Sequence, residues 1–133
     1  MPTILYAEDD VEHREMMRVI MQGTNITLVE ATNGVEALEK VKKQPPDLIL
    51  LDLFMPKLDG HGVMEALKSD PQTKNIPIIV LSAWSTGDNR KRARGAGARS
   101  FIAKPYDPVE LMQLVNNHLS GKVNSKSLPA QTH

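Results

Sequence analysis

Asp47-Leu48-Ile49-Leu50-Leu51 is the stretch that decides the fold. Its large apolar residues run without a polar alternation, so the chain here reads as a strand covered on both faces. Asp52 closes the run, and a turn bearing Pro56 and Gly60 follows. Upstream, Pro45-Pro46 stops a helix from about Gly34 to Lys43, which repeats Val35, Leu38 and Val41 at helical spacing. A weaker strand from Ile26 to Glu30 precedes that helix. Before it come a helix from Val11 to Met21, with Val11, Met16, Val19 and Ile20 among its apolar positions, and a first strand from Thr3 to Ala7.

Downstream the alternation continues. A helix from Gly60 to about Lys68 leads to a strand from Ile76 to Leu81, a helix from about Thr86 to Ala96, a strand from Arg99 to Ala103 and a helix from Pro108 to Leu119. Apolar strands alternating with helices predict a parallel sheet, and right-handed crossovers make it a five-stranded α/β sandwich. Ligands of such sheets sit at the carboxyl ends of the strands. The fourth helix offers only Ala93 and Ala96 to a core and carries Arg90, Lys91, Arg92 and Arg94, which predicts weak anchoring.

The 133 residues suit one compact domain, expected over 1–120, with a polar, aperiodic and flexible tail over 121–133. Sixteen acids balance sixteen bases, yet acids dominate the first sixty residues and bases the rest. The absence of cysteine excludes disulfides, thiolate metal sites and cysteine nucleophiles. No apolar run approaches membrane-spanning length and no signal peptide is evident, so a cytoplasmic location is expected.

Chemistry concentrates at the strand ends. Glu8-Asp9-Asp10 follow the first strand and Asp52 the third, so a parallel sheet would bring these carboxylates to one edge. They would repel one another unless a cation intervened, and oxygen donors suit Mg²⁺. Read by itself, the trio is also a helix cap, with Asp9 and Glu12 spaced as a capping box. Ser82 and Lys104 end the fourth and fifth strands and add a hydroxyl and an ammonium. A carboxylate nucleophile, a cation site, a hydrogen-bond donor and a counter-charge are the parts phosphoryl transfer needs.

These residues, with Met55-Pro56, Asp59-Gly60, Ser82-Ala83, Gly95-Ala96-Gly97-Ala98 and Phe101-Ile102-Ala103-Lys104-Pro105-Tyr106, resemble the response-regulator receiver family over about residues 3–119. The bacterial chemotaxis regulator belongs to that family. The resemblance implies a flavodoxin-like, doubly wound α/β fold with strand order 2-1-3-4-5 and five helices. It implies a stand-alone response regulator in a two-component phosphorelay, a signalling phosphoacceptor and not an enzyme on other substrates. Asp52 is implied as phosphoacceptor, with Mg²⁺ (or Mn²⁺ in its place) held by Glu8, Asp9, Asp52 and the backbone carbonyl of Phe54. Glu8 stands where Asp is commoner, and Asp10 is left to cap the first helix.

Ser82 and Lys104 are implied to bind the phosphoryl group, Phe101 to be an aromatic rotamer switch, and Lys104-Pro105 to be a cis peptide. Phe54 and Trp84 occupy the positions that tune phosphoryl lifetime. Neither can orient a water, so self-dephosphorylation is expected to be slow. The implied partners are a histidine kinase or histidine phosphotransfer protein, and a downstream protein reading the surface of the fourth helix, fifth strand and fifth helix. Neither nucleic acid nor membrane is expected, and the chain is expected to be a monomer or a phosphorylation-linked dimer.

Three rivals remain: a receiver fold that is never phosphorylated, a dehalogenase-type phosphatase and a flavin binder. The phosphatase would want an acid where Phe54 stands. The flavin binder would want Ser, Thr and Gly where Glu8-Asp9-Asp10 would repel phosphate.

Overall fold

The computed structural model describes residues 1–55, 57–83 and 86–120. Five strands, β1 (Thr3–Ala7), β2 (Thr27–Ala31), β3 (Leu48–Asp52), β4 (Ile78–Ser82) and β5 (Ser100–Ala103), form one parallel sheet in the order β2-β1-β3-β4-β5. Five helices connect and follow them: α1 (Val11–Met21), α2 (Gly34–Lys43), α3 (Gly60–Ser69), α4 (Gly87–Gly95) and α5 (Pro108–Leu119). The expected flavodoxin-like order is present. Trp84 and residues 121–133 lie outside the described residues.

The central strands β3 and β4 are buried along their whole length, which is why their sequence shows no polar alternation. Leu5, Ile49, Leu51, Ile78 and Val80 join Val41 of α2, Val63, Met64 and Leu67 of α3 and Ala93 of α4 in one core layer. Ile4, Tyr6, Leu48, Leu50, Ile79 and Leu81 meet Met17 and Met21 of α1 and Leu111 and Val115 of α5 in the other. On α1, Val11, Met16 and Val19 are exposed, so Met17 and Met21 carry its packing instead.

The strand boundaries differ from expectation for identifiable reasons. β4 starts at Ile78, because Pro77 has no N–H to give a ladder and only its carbonyl is used, by the N–H of Ile49. The Ile26 N–H goes to the Thr24 hydroxyl, and the ladder begins with Thr27, whose N–H reaches the Pro2 carbonyl. Every helix starts at a side-chain cap: Asp10, Asn33, Asp59, Thr86 and Asp107 each accept a backbone N–H of the first turn. Of the two caps read for α1, Asp10 is the one present, as the family resemblance implied: it accepts from the Glu12 and His13 N–H groups, and Asp9, the start of the alternative capping box, is free of that duty. Among the described residues, no helix is long and apolar enough to cross a membrane.

Candidate functional site

Parallel register sets the level of each functional side chain. Ala7 pairs with Leu51, so Glu8 and Asp52 leave β1 and β3 at the same height. The Glu8 N–H extends the ladder to the Ala31 carbonyl, which fixes its backbone. Asp52 pairs with Leu81 and Ser82 with Ala103, while the Lys104 N–H donates to the Ser82 carbonyl at 2.8 Å. Four strands thus deliver their chemistry to one edge.

On that edge Glu8, Asp9 and Asp52 each offer a carboxylate oxygen, all within 4.8 Å of one another. Glu8 and Asp52 are buried and Asp9 is exposed. The Lys104 ammonium contacts Glu8 Oε1 at 2.6 Å and lies 3.8 Å from Asp52 Oδ2. The sequence-predicted set of Glu8, Asp9, Asp52 and Lys104 is therefore one cluster. The Ser82 side chain is fully buried at the end of β4. The peptide before Pro105 is cis, as expected. Phe54 is half exposed beside Asp52 and donates its N–H to Asp52 Oδ1 at 3.3 Å. Phe101 stands apart on β5, half-buried, with the Arg90 guanidinium 4.8 Å from its ring centre.

The two buried carboxyls are pushed in opposite directions. Burial drives Asp52 up, the Glu8 charge adds to it, and Lys104 opposes too weakly, so its carboxyl rises from 3.8 to about 7. Burial would raise Glu8 as well. There Lys104 and the Asp10 N–H outweigh it and hold the carboxyl down at about 2. Asp9 is raised by burial, with Glu8 and Asp10 adding repulsion. Such crowding suits a hard cation, which would satisfy three anionic oxygens at once; the donor set fits Mg²⁺, with all-oxygen ligands and room for waters on the exposed Asp9 side.

Sequence reasoning missed three supports of Glu8. The Tyr6 hydroxyl donates to Glu8 Oε1 at 3.3 Å, His13 Nδ1 lies 3.3 Å from the same oxygen, and Arg14 Nη1 donates to the Glu8 carbonyl at 2.9 Å. Burial, followed by the Glu8 charge, raises the Tyr6 phenol, which keeps it a donor. Two signals pointed there: Tyr6 shares a strand face with Glu8 at i+2, and His13 follows Asp9 by one helical turn.

Comparison with known proteins shows the family and the fold. The family description "Response regulator receiver domain" fits residues 4–116. An uncharacterized 14.6 kDa protein of Leptolyngbya boryana is 30% identical over 86% of this chain and 88% of its own length. The polar-differentiation response regulator DivK of Brucella anthropi is 26% identical over 88% of this chain and 95% of its own. The chain spans only about half of other curated relatives, 47% of the response regulator GtcR of Aneurinibacillus migulanus among them. A receiver domain of a signal transduction histidine kinase from Syntrophus aciditrophicus superposes with a TM-score of 0.85 at 33% identity, over 97% of this chain and 99% of that one.

Proposed function

This chain belongs to the response regulator receiver family, and we propose that Asp52 is its phosphoacceptor, loaded by a histidine kinase or histidine phosphotransfer protein in a Mg²⁺-dependent reaction. One observation carries the reading: three carboxylates and an ammonium converge on the strand-end edge, with Asp52 buried among them. A carboxylate oxygen of Asp52 attacks phosphorus, and the bond from phosphorus to the donor's imidazole nitrogen (or to the acetate oxygen of acetyl phosphate) breaks. Glu8, Asp9, Asp52 and the Phe54 carbonyl are the ligands that would hold Mg²⁺, or Mn²⁺ in its place; the ion would neutralise charge on the transferring group.

Lys104, now closest to Glu8, is positioned to turn toward phosphoryl oxygens, and the Ser82 hydroxyl to follow them. Movement of Ser82 opens space for Phe101, whose rotation changes the face formed by α4, β5 and α5. A groove of about 620 Å³ already runs along that face, lined by Arg90, Phe101, Tyr106, Glu110 and Leu114. A downstream protein reads it. The exposed Val11, Met16 and Val19 of α1 offer an apolar seat for the phosphodonor beside the acidic edge. Half-exposed Phe54 gives attacking water no polar guide, in keeping with slow dephosphorylation; Phe54→Asn is expected to speed the loss of phosphoryl from Asp52.

We further propose a receiver over residues 1–120 and a cytoplasmic site of action. The deciding experiment is intact mass after incubation with acetyl phosphate and Mg²⁺. One added phosphoryl group, absent in Asp52→Asn and after chelation, is expected. No addition from either acetyl phosphate or a phosphorylated histidine phosphotransfer protein would leave a receiver fold that works without phosphorylation.

A further inference from the structure

Away from the acidic edge, α3 and α4 leave a cleft of about 460 Å³, with His61, Glu65 and Lys68 on one wall and Arg92 and Ala96 on the other. His61 Nε2 is buried and has no hydrogen-bond partner among the described residues. Buried imidazole nitrogens are ordinarily satisfied, and this one, shielded as it stands, gains a partner when the ring turns out toward the cleft. Arg92 and Lys68, the latter donating to the Lys74 carbonyl at 2.9 Å, bring positive charge to the cleft, against the acids Asp59 and Glu65. Burial, then Arg92, holds the His61 imidazole below its ordinary value, and burial, then Arg99, does the same to Lys68. Arg92, and its exposed neighbours Lys91 and Arg94, make no ion pair among the described residues.

We propose that this cleft binds an acidic segment of a partner protein, with one carboxylate between His61 and Arg92 and a second at Lys68. Length selects a segment over a single small anion. His61 and Lys68 stand at opposite ends of α3, about 10 Å apart along its axis at 1.5 Å per residue. Three residues of polyproline II chain, rising about 3.1 Å each, cover that span and return side chains to the same face, whereas one phosphate or carboxylate meets only one end. Glu65 lies between the two on the same wall and repels a central acid. The fitting occupant therefore carries acidic residues about three apart with uncharged residues between. Lys91 and Arg94, outside the cleft, add a field that speeds encounter without selecting the sequence. The inference stands independently of Asp52 chemistry, since neither wall contributes to the acidic edge.

The test titrates the full chain with the labelled peptide Ser-Glu-Ser-Ser-Glu-Ser, followed by fluorescence anisotropy and by the His61 ring resonances. Saturable binding that moves the His61 Nε2 signal is expected. Arg92→Glu is expected to weaken it about tenfold or more, and Arg94→Glu less than about twofold, because only Arg92 contacts the bound carboxylate. Both positions are exposed, and thermal melting confirms that each variant is folded; Arg92→Gln, expected to weaken binding in the same direction, serves as the second variant. The proposal is overturned if no saturable binding occurs, or if Arg94→Glu costs as much as Arg92→Glu, which would mean diffuse attraction. It also fails if inorganic phosphate moves His61 with the affinity of the peptide, which would mean a small-anion site.

Discussion

α3 and α4 lie on the same face of the sheet and differ in almost everything that holds a helix down. α3 buries Gly60, Val63, Met64 and Leu67, whereas α4 buries only Ala93. α3 is also tied to the loop after Asp52: the Gly60 N–H donates to the Leu53 carbonyl at 2.6 Å, and a Cβ on Gly60 would sit 2.7 Å from the Asp52 carbonyl oxygen. The chain before α4 leads from Ser82, the residue proposed to move. The difference teaches a division of labour. On the proposed function, the well-buried helix fixes the geometry of the Asp52 carboxylate, and the poorly buried one is left free to report on it. A helix held by little apolar area opens at low cost, as a reporter must.

The largest effect expected from this contrast is on stability. Leu67→Ala removes a buried side chain from α3 and should cost ~3 kcal/mol in urea unfolding, as cavity-forming core changes do. Ala93→Gly, at the one buried position of α4, should cost about 1 kcal/mol, mostly helix propensity. Equal losses would mean that α4 is as firmly built in as α3.

The second effect concerns the carboxylate that α3 fixes. Asp52 titrates at about 7 in the fold against an ordinary 3.8, so the folded chain holds this proton longer than the unfolded one. Its contribution to stability is therefore fully present below pH 3.8 and is lost as pH rises through about 7. At pH 7.5 Asp52→Asn should be more stable than the parent by on the order of 2 kcal/mol, and the gap should close toward pH 4. Mg²⁺ should close it too, by raising the parent alone. A gap independent of pH would show that Asp52 ionises at no cost.

Much of this was legible beforehand. The β3 and β4 runs, Leu48–Leu51 and Ile78–Leu81, are apolar on both faces because helices cover both, so periodicity and burial agree. Register does the rest for Glu8, Asp52, Ser82 and Lys104, since parallel strands of similar length must end together. What escaped the sequence depends on side-chain direction. Met17 and not Met16 faces the core of α1, a distinction of 100° around a helix whose apolar residues nearly encircle it. His13 and Tyr6 support Glu8 through contacts that only the packed sheet creates. Ile76 is apolar yet lies outside β4, because Pro77 blocks the ladder between them.

A finer probe of the same contrast is amide hydrogen exchange. Amides of α4 should open locally, at least ~1 kcal/mol below those of α3 and α1 and with little dependence on denaturant. Comparable protection across the three helices would remove the division of labour from the dynamics, leaving it only in the burial.

The smallest effect is the most direct report on where α4 sits. His61 at the start of α3 is held below its ordinary value by burial and by Arg92 of α4, with Asp59 pulling the other way. If α4 spends its time as the structure shows it, Arg92→Ala should raise the His61 value in an NMR titration, because one repelling charge is gone while burial and Asp59 stay. If α4 moves so freely that Arg92 averages away from the ring, the same change should leave the titration where it was. The stability linkage has a matching sign. A lowered histidine is neutral in the fold while the unfolded chain still binds a proton, so its contribution falls as pH drops below 6.5, and Arg92→Ala should flatten that fall. An unmoved His61 beside fast exchange in α4 would sharpen the contrast, whereas a raised one would place a docked α4 against α3 for most of its lifetime.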